Sequence, residues 1–149
     1  MKRFLALALS LLMIAGVNTA VADEASDRAA TVDIIKVKFI PTLDEQRLSL
    51  LDLQKKLKPD ANLYKQVTAV LADFDNNYAA IVNGLANVNQ AIQPIIDLCE
   101  EEVEEFSNSI YQLNVMLKKA TKTITCIRGK TTKKVTGLAP KCPAGYKKK

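Results

Sequence analysis

The chain has 149 residues, enough for one domain of ordinary size, a formal net charge of +5, three cysteines, and no histidine or tryptophan. Without histidine, the usual base for a serine, threonine or cysteine nucleophile is missing, and so is the Glu-x-x-His di-iron site of helical bundles. Without tryptophan, a sugar-stacking cleft for carboxylate-only catalysis has little to be built from.

The net charge conceals a division. From Asp23 to Leu117 there are 8 basic and 16 acidic residues, a balance of −8. From Lys118 to Lys149 there are 11 basic residues and no acid, a balance of +11. The chain therefore reads as an acidic body with a basic tail.

Lys2 and Arg3 precede a largely apolar run from Phe4 to Gly16, and Ala20-Val21-Ala22 has the small-x-small cleavage pattern. Residues 1–22 are thus expected to be a secretory signal peptide, too short in its apolar part to span a bilayer comfortably. The mature protein, from Asp23, is expected outside the cytoplasm, secreted or on the outer face of the cell envelope, and not membrane-spanning after cleavage. An uncleaved anchor is the alternative.

Between Asp23 and Ile40, Val32, Ile35 and Phe39 fit a helical stripe, while Ile35 to Phe39 also alternates like a strand. A lone strand has no sheet to join here, so the segment is expected to be a helix, ended by Pro41. Thr42-Leu43-Asp44-Glu45 has the form of a capping box and predicts a second helix, with Leu43, Leu50, Leu53 and Leu57 inward and Leu48 and Leu51 widening the face. Lys55, Lys56 and Lys58 complement its C-terminal dipole, Pro59 closes it, and Asp60 caps the next helix from Ala61.

A longer stripe follows: Val67, Leu71, Phe74, Tyr78, Ile81, Leu85, Val88, Ile92, Ile95, Cys99, Val103, Phe106, Ile110, Leu113 and Leu117. Its steps alternate between four and three, apart from one irregular pair of fours at Cys99. The period is that of an α-helix with one buried face. Gly84 alone does not break a helix, but Pro94 after an Asn-rich segment predicts a turn or sharp kink between Asn87 and Pro94, with Pro94 in the first turn of the next helix. The fold class expected is all-α: an antiparallel bundle of about four coiled-coil-like helices over residues 23–120, with a small C-terminal β-hairpin module over 121–149. An unbroken rod burying its stripe on a partner chain is the competing arrangement.

The tail changes character. Lys122 to Ile127 and Thr131 to Thr136 alternate and are rich in β-branched residues, with Arg128-Gly129-Lys130 as the turn between them. A two-stranded hairpin is marginal alone, and Cys142, between Lys141 and Pro143, is placed to staple it to Cys126 in an exported protein. Closing that loop contributes about 3 kcal/mol in the chain-entropy account.

The segments Ile124-Thr125-Cys126-Ile127-Arg128-Gly129-Lys130, Lys133-Lys134-Val135-Thr136-Gly137 and Pro140-Lys141-Cys142-Pro143-Ala144-Gly145-Tyr146-Lys147-Lys148-Lys149 resemble a C-terminal module recurring on exported actinobacterial proteins. The resemblance covers about 26 of the 149 residues. That module is attached to otherwise unlike proteins, so the resemblance implies a shared location or handling step and no activity.

Among residues that carry chemistry, Cys99 reads as a buried small hydrophobe, with an intermolecular disulfide as the alternative. No cysteine pair has zinc-finger spacing. Glu100, Glu101, Glu102, Glu104 and Glu105 read as a solvated face, with chelation of a hard cation or docking of the basic tail, within or between molecules, as alternatives. No metal, cofactor or catalytic residue is assigned, and the protein is not expected to be an enzyme.

The candidate site is the tail. Lys130, Lys133, Lys134, Lys141, Lys147, Lys148 and Lys149 are expected to contact anionic cell-envelope polymers; a solubilising tail or an export signal is the bland alternative. No recognition helix or aromatic platform points to sequence-specific nucleic-acid reading. A helix-mediated protein-interaction module, with another protein or as a homodimer, is the second functional reading.

Overall fold

The computed structural model describes residues 26–149 in full and the backbone of residues 2–25; the expected signal peptide falls outside the fully described part. Three helices, α1 (Lys2–Leu57), α2 (Ala61–Ala86) and α3 (Gln93–Ala120), precede a sheet of β1 (Lys122–Arg128), β2 (Thr131–Gly137) and β3 (Lys147–Lys148). Short connections make consecutive helices antiparallel, and all three pack on one another.

The expected division at Pro41 is not there. Helix α1 runs through Pro41, so Thr42 is not an N-cap and the bundle has three helices instead of about four. The reason is the phase of the buried face. Ile35, Phe39, Leu43, Gln46, Leu50, Leu53 and Leu57 are all buried, at steps of four or three that cross Pro41 without a slip. An interior proline costs about 3 kcal/mol. Holding Phe39 and Leu43 on opposite sides of it in one core regains about 1.5–3 kcal/mol for each side chain. Pro41 itself faces solvent, where its ring displaces no core atom. The same helical phase settles the strand-like run before it: Ile35 and Phe39 are inward, while Val37, in step with a strand, is 79% exposed. Leu48, expected to widen the face, is exposed because it lies two residues from both Gln46 and Leu50, on the far side of the helix.

The other boundaries follow local chemistry. The Asp60 carboxylate accepts hydrogen bonds from the Asn62 and Leu63 amides, both at 3.1 Å, and satisfies two donors at the start of α2. Asn87 closes α2, its amide bonded to the Asn83 carbonyl, and its side chain accepts from the Asn89 amide at 3.1 Å in an Asx turn. Pro94 stands in the first turn of α3, where a missing amide hydrogen costs nothing. Val88, counted in the stripe, falls in this turn and is 75% exposed.

Register is fixed by polar pairs around an apolar seam. Between α1 and α2, Tyr78 donates to Asp44 at 3.0 Å, Arg47 to Asp75 at 2.8 Å and Gln54 to Thr68 at 3.1 Å, so each step down one helix is a step up the other. Phe74 is fully buried at the centre, its ring 4.7 Å from Phe106 on α3 and 5.8 Å from Tyr78. At the α2–α3 turn, Gly84 lets Ile95 approach: a β-carbon there would lie 3.0 Å from Ile95 Cδ1. Arg28, from α1, spans the same turn. Its guanidinium donates to the carbonyls of Gln90 at 2.6 Å and Asn87 at 2.7 Å, with Gly84 at 3.4 Å, and places a cation at the C-terminus of α2.

The sheet has the order β2-β1-β3, and the two hairpin strands pair antiparallel from Lys122 opposite Gly137 to Arg128 opposite Thr131. Gly129, with φ +57°, takes the first central position of the two-residue turn, which suits the right-handed twist of a hairpin. Strand β3 is an addition that the sequence reading lacks. It pairs Lys147 with Ile127 and Lys148 with Cys126. The disulfide Cys126–Cys142 and a turn from Pro143 to Tyr146, with Gly145 at φ +81°, lead the terminal lysines back to β1. Among the described residues no helix packs against a strand, and Leu138, just after β2, is the residue through which the module touches the helical core.

Candidate functional site

The seven lysines named from the sequence are all exposed, and the sheet sorts them. Side chains opposite one another on paired strands point to the same face. Cys126 stands between Lys133 on β2 and Lys148 on β3, so those two lysines share its face. Thr125 and Ile127 face the other way, opposite Lys134 and Lys147. Lys130 is in the hairpin turn, Lys141 next to the disulfide, and Lys149 donates its amide to the Thr125 carbonyl at 2.9 Å, which prolongs the β3 pairing. The Lys133 ammonium lies 5.2 Å from the centre of the Tyr146 ring, close enough for a cation–π contact.

Two faces of one small sheet thus carry positive charge. None of these lysines is ion-paired among the described residues, whose salt bridges are Lys38–Glu100, Arg47–Asp75 and Lys56–Asp52, all within the helices. Charge spread over both faces and the edges does not converge on one pocket for a compact anion. It suits contact with an extended chain of negative charges. The disulfide is what makes the arrangement durable: Cys126 is fully buried, and its bond to Cys142 fixes the segment from which β3 starts.

The acidic cluster divides in a way the sequence reading lacks. Glu100, Glu101, Glu104 and Glu105 are exposed, as a solvated face requires, but Glu102 is buried. Its Oε2 has no hydrogen-bond partner. Burial pushes the Glu102 carboxyl up from the ordinary range, and the charges of Glu105, Asp73 and Glu101 push the same way against a hydrogen bond with Asn77. On α1, Gln46 is also buried; its amide donates to the Val103 carbonyl at 2.8 Å and the Ser107 hydroxyl at 2.9 Å, leaving Oε1 unpartnered.

The signal for both residues was the stripe itself. A regular step of three from Cys99 lands on Glu102 and the next step of four on Phe106. The step of three from Leu43 lands on Gln46, followed by Leu50. Each buried polar group sits where the apolar pattern skips a beat.

Cys99 is free and fully buried, and burial, with the charge of Glu100, raises its thiol above the ordinary value. It is a protonated core side chain with no route to a partner's sulfur in the folded state. Among the described residues no group of three or more His, Cys, Asp or Glu side chains is placed to hold a metal ion. No helix among them is long and apolar enough to cross a membrane. In comparisons with known proteins, no family model, curated protein or solved structure matches the chain.

Proposed function

We propose that this is a non-enzymatic exported protein retained at the cell envelope by its C-terminal module, whose lysines bind an anionic polymer. The observation that carries this reading is the charge of the tail, whose sheet lysines are unpaired among the described residues. Eleven cations without one acid lie from Lys118 onward. Those of the sheet are held by a disulfide on a small scaffold that the helices leave open on both faces. A cationic surface of this kind concentrates polyanions around it, and the attraction falls as salt shortens the screening length to about 3 Å at 1 M.

Retention on isolated envelopes, with and without residues 122–149, tests the reading. The whole chain should stay bound at low salt and elute as salt is raised, while the shortened chain should not bind. Equal retention of both, insensitive to salt, would end it.

A specific observation also favours the protein-interaction reading. Ile34, Val37 and Val88 are 63%, 79% and 75% exposed, and a groove lined by Ile40, Tyr78, Val82 and Leu85 lies on the α1–α2 side of the bundle. The long stripe is spent inside the chain, so a partner helix would use this face.

A further inference from the structure

On the α2–α3 side of the bundle lies a groove of about 480 Å³ lined by Val70, Leu113 and Met116 together with the exposed Glu101, Glu104 and Glu105. None of these glutamates is ion-paired among the described residues, and no strand of the chain's own sheet packs on the helix that carries them. We propose that this groove receives the basic hairpin of a second copy of the chain, in a reciprocal dimer in which each copy docks its tail on the other's acidic groove.

Charge and reach both point to that occupant. The groove offers three carboxylates; the hairpin tip offers Lys130, Lys133 and Lys134, all exposed and unpaired among the described residues. Glu104 stands 16 residues before Ala120, about 24 Å of helix at 1.5 Å per residue. Lys130 stands ten residues beyond Ala120, and at 3.3 Å per residue the first strand carries the hairpin tip about 25–30 Å from the end of α3. The two lengths agree. With the sheet running on from the end of α3, two copies related by a twofold axis near that end would lay the hairpin tip of each, Lys130 in its turn and Lys133 and Lys134 on its two faces, in the groove of the other. The two contacts are the same by symmetry, so the assembly closes at two. Within one chain the same contact requires the sheet to fold back on α3 at Thr121; among the described residues there is no such packing. The proposal shares Lys130, Lys133 and Lys134 with envelope binding, but it also requires Glu101, Glu104 and Glu105, which envelope binding does not, so the glutamate variant separates the two.

Sedimentation of the purified chain at about 20 μM, in 50 mM and in 500 mM salt, tests it against two charge-reversed variants. Glu101, Glu104 and Glu105 become lysine in one; Lys130, Lys133 and Lys134 become glutamate in the other. All six positions are exposed, and circular dichroism verifies that each variant keeps its helices. The parent chain should be dimeric at low salt, with its dissociation constant rising at least tenfold at high salt. Each variant alone should be monomeric, since its own groove and tail then repel. An equimolar mixture of the two should recover a dimer, because each tail again meets a groove of opposite sign. A parent chain that stays monomeric at low salt would overturn the proposal. So would variants that dimerise as the parent does, or a mixture that fails to associate.

Discussion

Replacing Glu102 by glutamine should stabilise the protein at neutral pH and leave it unchanged in acid. The Glu102 carboxyl is buried, its Oε2 is unpartnered, burial disfavours its charged form, and Glu105, Asp73 and Glu101 add charge of the same sign. A buried polar group without a partner costs about 1–3 kcal/mol, and more when charged. Glutamine has nearly the same shape, carries no charge, and offers an amide donor to the neighbouring carboxylates. The expected gain at pH 7 is about 1–2 kcal/mol, on the order of 3–8 °C in Tm for a chain of this length. Because folding raises the pKa of Glu102, the stability of the parent chain from its neutral form is complete below the unfolded value of about 4.3 and is lost as pH rises through the folded value. Glutamine has no such loss. Thermal melts of both proteins between pH 4 and 8 should therefore converge at the acid end and separate towards neutrality, the difference cancelling the titration of other groups. A glutamine variant less stable than the parent at pH 7, or a gain of equal size at pH 4, would show that the buried charge is not what weakens this seam.

Pro41→Ala restores an amide donor in the exposed middle of α1 and should raise stability by about 1–3 kcal/mol, read from the urea midpoint at constant m; a lower midpoint would mean that the packing of α1 needs the proline. Arg28→Ala leaves three carbonyls of the α2–α3 turn without their cation, and should cost about 1.5–3 kcal/mol by the same assay; no change would make that contact idle. Cys126→Ser with Cys142→Ser should abolish amide-exchange protection at Lys149, whose amide bonds to Thr125, while the helical circular dichroism signal stays within error. Persistent protection would show that β3 holds without the bond.

Most of the bundle was legible because one periodic stripe encodes it. Val67, Leu71, Phe74, Ile81, Leu85, Ile95, Cys99, Phe106 and Leu113 are buried as their spacing requires, and Asp60 and Pro94 mark helix starts by chemistry that is wholly local. Pro41 misled for the opposite reason. Its cost is local, whereas the compensation comes from Phe39 and Leu43 meeting the other two helices, which no window of sequence contains. Glu102 and Gln46 were hidden by their polarity, although the stripe pointed at both.

In the tail, the hairpin and its disulfide follow from β-branched alternation, turn residues and cysteine placement. Strand β3 does not, since consecutive lysines have little preference for a strand. They are brought into one by the disulfide and the Pro143–Tyr146 turn, a consequence of topology. The faces on which Lys133, Lys134, Lys147 and Lys148 fall became definite only with that third strand.

The central claim, that the stapled sheet is a polyanion-binding module carried by an acidic bundle, is tested most directly by residue-resolved NMR. An isotope-labelled chain would be titrated with a purified phosphate-rich envelope polymer. The account predicts the largest shifts within residues 122–149, around Lys133, Lys134, Lys147 and Lys148, and reversed by salt, with changes on α3 limited to the groove of Glu101, Glu104 and Glu105 as the tail leaves it. Shifts centred on α1 to α3, or none at polymer concentrations that retain the protein on envelopes, would contradict it.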